Sequence, residues 1–220
     1  MKLNRLAIIV AVAALACSAL AQGGGGQRRG GGRGNPYAPT SLVRLEEVQK
    51  ELNITDDQKT KLADLQASVQ TKMTDLAASA NGDRTAMTEG RAKINADAAK
   101  ALGDILQPEQ MKRLRELQIQ WSGKSILATD KELQSTLSIT DEQKTKIAEL
   151  IAKQQAANQE ASQGGDRQAA AEARTKNAKI LEDEIDKVLT DAQKTKLKEL
   201  GGKELAKPAP RPRGGGGGGL

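Results

Sequence analysis

The middle of this sequence is written twice. Glu51 to Leu65 (ELNITDDQKTKLADL) aligns with Thr136 to Leu150 (TLSITDEQKTKIAEL) at an offset of 85, with 10 of 15 positions identical. Further on, Asn81-Gly82-Asp83-Arg84 matches Gly164-Gly165-Asp166-Arg167, and Leu106 to Gln110 matches Leu189 to Gln193, now at an offset of 83. One two-residue deletion reconciles the halves. A chain built this way must fold as two copies of one unit of about 80 residues, each stabilised mainly by its own contacts and those of its neighbour.

The material available to each copy decides the class. There is no Phe, one Trp and one Tyr, so the core has to be Leu, Ile, Val, Met and Ala. A β-sandwich is excluded in practice, because strands draw on the aromatic and β-branched residues that are scarce here. The reading is all-α, with two tandem four-helix units over 40–123 and 124–206. The first unit is predicted as Ser41 to Leu52, Asp56 to about Ala80, Ala86 to Leu106 and Pro108 to about Trp121. The second is predicted as Ser125 to Leu137, Asp141 to Ser162, Gln168 to Leu189 and Asp191 to about Ala206. Within each unit the long pair turns at the glycine-containing Asn81 or Gly164 tetrapeptide and forms an antiparallel hairpin. Leu62, Leu65, Val69, Met73 and Leu76 step by three or four and line one helix face. In the second copy that face begins with Ile147, Leu150 and Ile151 and then turns to Gln154, Gln155 and Asn158, so the distal second hairpin is expected to be looser. Trp121 is expected to anchor the two halves.

Both ends differ from this body. Lys2 and Arg5 precede an uncharged stretch from Leu6 to Ala16, and Ala19-Leu20-Ala21 follows. This is the layout of a secretory signal peptide over 1–21, too short in its apolar part for a spanning helix. It implies a periplasmic or secreted protein, with lipid attachment at Cys17 as a second reading. Residues 22–39 and 207–220 are rich in Gly, Arg and Pro and are expected to be disordered linkers. The formal charge of +6 resides in these ends, since Gly34 to Ala206 carries 26 basic and 28 acidic residues. A basic groove for specific nucleic-acid binding is therefore not expected on the body.

Catalysis and metal binding lack their usual ligands. The chain has no His, and its one Cys lies inside the signal, which removes imidazole and thiol chemistry. No enzyme activity and no cofactor is expected.

A four-residue pattern opens four helices: Thr55-Asp56-Asp57-Gln58, Gln107-Pro108-Glu109-Gln110, Thr140-Asp141-Glu142-Gln143 and Thr190-Asp191-Ala192-Gln193. Three copies fit capping boxes, in which the Thr hydroxyl accepts an N–H at the third helical position and the Gln reaches back to the N–H of Thr. Ile54, Leu106, Ile139 and Leu189 precede them. Leu or Ile, Thr, two variable residues and Gln, twice per helical unit, resembles the LTxxQ-motif family of periplasmic Spy and CpxP-like proteins over about Thr40 to Ala206. The resemblance implies an ATP-independent envelope chaperone or stress-response adaptor that binds unfolded or partly folded envelope proteins on a thin helical cradle, typically as a homodimer. Candidate client-binding residues are Leu62, Leu65, Val69, Met73, Ile147, Leu150 and Ile151, although each would equally serve to close its own hairpin. The rival reading is a structural scaffold whose arginine-glycine tails tether it to polyanions.

Overall fold

The computed structural model describes residues 36–208 and is all-α. The expected signal peptide over 1–21, the expected linker as far as residue 35 and residues 209–220 lie outside the described residues. The order is α1 (Pro39–Leu42), α2 (Glu46–Glu51), α3 (Asp56–Ser79), α4 (Arg84–Ile105), α5 (Pro108–Ser122), a 3-10 helix (Gly123–Ala128), α6 (Lys131–Thr136), α7 (Asp141–Gln163), α8 (Arg167–Val188) and α9 (Asp191–Leu200). Helices α3 and α4 form the first hairpin and α7 and α8 the second.

Long helices start where capping chemistry starts them. Asp83 and Asp166 open α4 and α8 in the same way, each Oδ1 accepting two backbone N–H groups at 2.8 and 3.1 Å. Asn53 and Ser138, both at φ 51°, close α2 and α6. The following N–H of Ile54 or Ile139 returns to the carbonyl of Gln49 or Gln134, satisfying a helix end that has no further turn.

Two apolar cores result. Leu42, Val48, Leu52, Leu102, Leu114 and Trp121 belong to the first. Leu127, Leu133, Ile147, Leu181, Ile185 and Leu197 belong to the second. Helix α5 serves both: Leu114, Leu117 and Trp121 share one face, and Ile119, on the opposite side of the helix, enters the second core.

Several expected boundaries shift, for local reasons. The predicted helix from Ser41 to Leu52 breaks at Leu45, which is extended, and Gln49 Nε2 donates to the freed carbonyl of Val43 at 2.9 Å. One continuous helix would spread the buried Leu42, Val43, Val48 and Leu52 around its circumference, whereas the break turns all four inward. The predicted helix from Ser125 to Leu137 is divided by Asp130, whose Oδ1 caps α6 through the N–H of Leu133 at 2.9 Å. Helix α9 stops at Leu200 rather than near Ala206, because Gly201-Gly202 follows and Gly202 sits at φ 63°.

Residues 201–208 then run back along α5 as a strap. Lys203 O accepts from Arg113 at 2.8 Å, Leu205 N donates to Gln120 Oε1 at 2.9 Å, and Trp121 Nε1 donates to Leu205 O at 3.0 Å. Leu205 packs on the first core although it follows the second repeat. The expected tail from residue 207 and linker to residue 39 are shorter than predicted. Lys207 Nζ donates to Trp121 O at 2.9 Å and lies 4.0 Å from the centre of the Tyr37 ring, and α1 already begins at Pro39.

The second hairpin is not the looser one. Its helices run closer together than those of the first. Asn177 Nδ2 donates to Asn158 Oδ1 at 2.9 Å and Arg174 to Ser162 Oγ at 2.8 Å, between small Ala157, Ala161 and Ala173. In the first hairpin a larger side chain, Leu76, occupies the corresponding layer and rests against Gly90, where a Cβ would collide with both of its methyl groups.

Candidate functional site

The four glutamines of the repeated motif meet in pairs. Gln58 Nε2 donates to Gln110 Oε1 at 2.7 Å and Gln110 Nε2 returns to Gln58 Oε1 at 3.1 Å. Each oxygen also accepts its own cap N–H, from Thr55 at 3.1 Å and Gln107 at 2.8 Å. Each nitrogen also closes the helix end preceding the other motif, Gln58 at Ile105 O (3.0 Å) and Gln110 at Leu52 O (2.9 Å). Both carboxamides thereby use all four of their hydrogen-bonding sites. Gln143 and Gln193 repeat the arrangement, at 2.8 and 3.0 Å to one another and at 2.8 Å to Val188 O and 3.2 Å to Leu137 O.

This geometry explains why the residue is glutamine at all four positions. Glutamate would keep the reach and the cap but could donate to neither a carbonyl nor its mate, and two carboxylates would repel. The threonine hydroxyls of Thr55, Thr140 and Thr190 accept the N–H of their glutamines as capping boxes, at 3.2, 3.2 and 3.3 Å. Ile54, Leu106, Ile139 and Leu189, the residues before the caps, are buried. The motif is thus a clamp that joins two helix starts and two helix ends in each repeat, and the glutamine side chains that make it carry no titratable group.

Residues singled out for partner binding divide into three sets. Leu62 and Ile147 are buried in the two cores and are not presented to a partner; their helices have no other place to put the first apolar turn. Leu65, Leu150 and Ile151 are half-buried against the same cores. Val69 and Met73 are half-buried farther along α3, outside both cores. Leu65 and Val69 line, with Val43, Arg44 and Asn95, an open groove of about 410 Å³ between the α1–α2 entry and α3.

A second cleft, of about 600 Å³, lies where the two repeats meet. Tyr37 and Trp121, the chain's two aromatic residues, both line it, opposite Gln154, Ala178 and Leu181 of the second hairpin. The Glu182 carboxylate at its edge accepts the N–H of Lys124 at 3.0 Å on each oxygen. Nearby charges are committed to structure: Lys124 pairs with Asp186 at 2.9 Å and Arg115 with Asp130 at 2.6 Å. The bond from Lys124 holds the Asp186 carboxyl below its usual range. Among the described residues no group of three or more His, Cys, Asp or Glu side chains is placed to hold a metal ion, and no helix is long and apolar enough to cross a membrane.

No family model, curated protein or solved structure matches the chain. The strap, the second cleft and the pairing of the glutamines were all missed by the sequence reading. Only the last had a signal there, the choice of neutral Gln over Glu at every third helical position of the motif.

Proposed function

We propose that this chain is a non-enzymatic protein of the cell envelope that holds unfolded or partly folded polypeptides on the sides of its helical hairpins. The observation that carries the reading is the state of α3. Its row of Leu65, at the margin of the first core, and Val69 and Met73 beyond it stays half-exposed, with an open groove beside Leu65 and Val69. Two-helix arms of this kind offer apolar surface without a closed pocket, which suits a partner of no fixed shape. The glutamine pairs support the same reading, because they tie two helix starts to two helix ends and so stiffen the base of each arm.

Suppression of aggregation of a reduced, unfolding model protein tests it. The full chain should suppress aggregation near equimolar ratio, and Val69→Asp combined with Met73→Asp should lower that activity while leaving helical content intact. Absence of suppression by the unmodified chain would refute the reading.

A further inference from the structure

Past Gly201 and Gly202, whose N–H groups donate back to α9, the backbone hydrogen bonds that residues 203–206 make among the described residues all run to α5. Lys203 O, Leu205 N and Leu205 O all turn toward α5, where Arg113, Gln120 and Trp121 engage them. In an extended chain consecutive residues direct their N–H and C=O groups to opposite sides. The backbone groups of Glu204 and Ala206 therefore turn away from α5. Among the described residues no hydrogen bond engages them, and both residues are exposed. Both line the cleft of about 600 Å³.

We infer that this free edge is a docking site for an extended polypeptide segment, which enters the cleft and pairs with Glu204 and Ala206 as an added strand. The inference rests on the proposed holding of unfolded polypeptides and names one way in which they are held. An edge of alternating N–H and C=O groups is complemented by another extended backbone, since a helix has already used its own groups internally. Pairing through the backbone reads no side-chain sequence, which fits a protein that must accept many chains. Side chains on one face of the added segment would meet Ala178 and Leu181. The rim, with Lys179 and Lys207 against Glu182 and Glu204, presents both signs of charge and so favours neither.

The strap is held along its opposite edge by Trp121 and Gln120, so a change at residue 206 can alter the free side alone. Ala206→Pro removes one edge donor, and the φ it imposes and the extended preference it places on Leu205 are compatible with an extended strap. The probe is a fluorescein-labelled peptide of about eight residues, alternating Val and Thr with a Lys at each end, followed by fluorescence anisotropy with the full chain. Binding is expected, with loss when every peptide N–H is methylated and a weakening of about three- to tenfold in Ala206→Pro at unchanged helical content. Equal binding of the methylated peptide, equal binding by Ala206→Pro, or no binding of the peptide at all overturns the inference. Aggregation suppression measured on the same protein separates the two readings: if it persists in any of those cases, the strap edge fails and the holding function stands.

Discussion

Asn177 donates its carboxamide to that of Asn158 across the second hairpin at 2.9 Å, at the two positions that carry Ile94 and Met73 in the first. Two apolar residues in one repeat are replaced by a hydrogen-bonded pair in the other, and the two members differ together. Either asparagine alone would leave an amide facing an apolar layer. Asn177→Ile is expected to lower stability by about 1–2 kcal/mol, and adding Asn158→Met to restore most of it. Urea unfolding of both variants checks this, and simple additivity of the two effects would count against a coupled pair.

The glutamine clamp makes a different demand. Gln58→Glu keeps the side chain's reach but removes both donors and sets a charge beside Gln110 Oε1 and Ile105 O. A loss of about 2 kcal/mol or more is expected at neutral pH, against about 1 kcal/mol for Thr55→Ala, which removes one cap bond. The loss should shrink in mild acid, where the introduced carboxyl regains a proton to donate. A loss in Gln58→Glu no greater than that in Thr55→Ala would show that the cap alone matters.

Trp121 reports on the strap without any label, because it is the chain's one tryptophan. It is buried, donates to Leu205 O at 3.0 Å and packs with Leu205 in the first core. Leu205→Ser should shift its emission to longer wavelength and destabilise the protein by about 2 kcal/mol. An unshifted spectrum would mean that Trp121 stays covered without the strap's leucine.

Asp130 sets the response to acid at the junction between the repeats. Burial disfavours its charge, but the bonds from Arg115 at 2.6 Å and from the N–H of Leu133 outweigh burial and hold its carboxyl below the ordinary aspartate range. Its contribution is therefore complete above the unfolded value near pH ~4 and is lost as the pH falls through the lower folded value. Asp130→Asn retains a cap but not the ion pair, so stability should fall by about 1–2 kcal/mol at neutral pH, with a shallower decline below pH ~4. Urea midpoints between pH 2 and 7 supply the comparison, and parallel curves for the two proteins would exclude this role.

What the sequence made legible was local. The caps at Thr55, Thr140 and Thr190, the turns at Asn81-Gly82 and Gly164-Gly165 and the apolar stepping from Leu62 to Leu76 each act within a few residues, and the long helices begin and end close to where those signals stand. What remained hidden depends on partners distant in the chain. Gln58 and Gln110 are 52 residues apart, and Trp121 and Leu205 are 84 apart; no periodicity announces either meeting. The closeness of the second hairpin was misjudged because apolar content was taken as a guide to packing. Alanine and paired amides bring helices together with less apolar area than leucine provides. The partner-facing residues were the least legible, since Leu62 and Val69 lie on the same stripe and only the extent of the core separates them.

Leu205 also imposes an order in time. The first repeat ends well before this residue in the chain, so the acceptor for the Trp121 indole N–H is supplied only after the whole second repeat, 84 residues later. Completion of the earlier half therefore waits for the last part of the later one, and a product cut short before the strap would lack both the acceptor for the Trp121 indole N–H and the leucine packed on the first core.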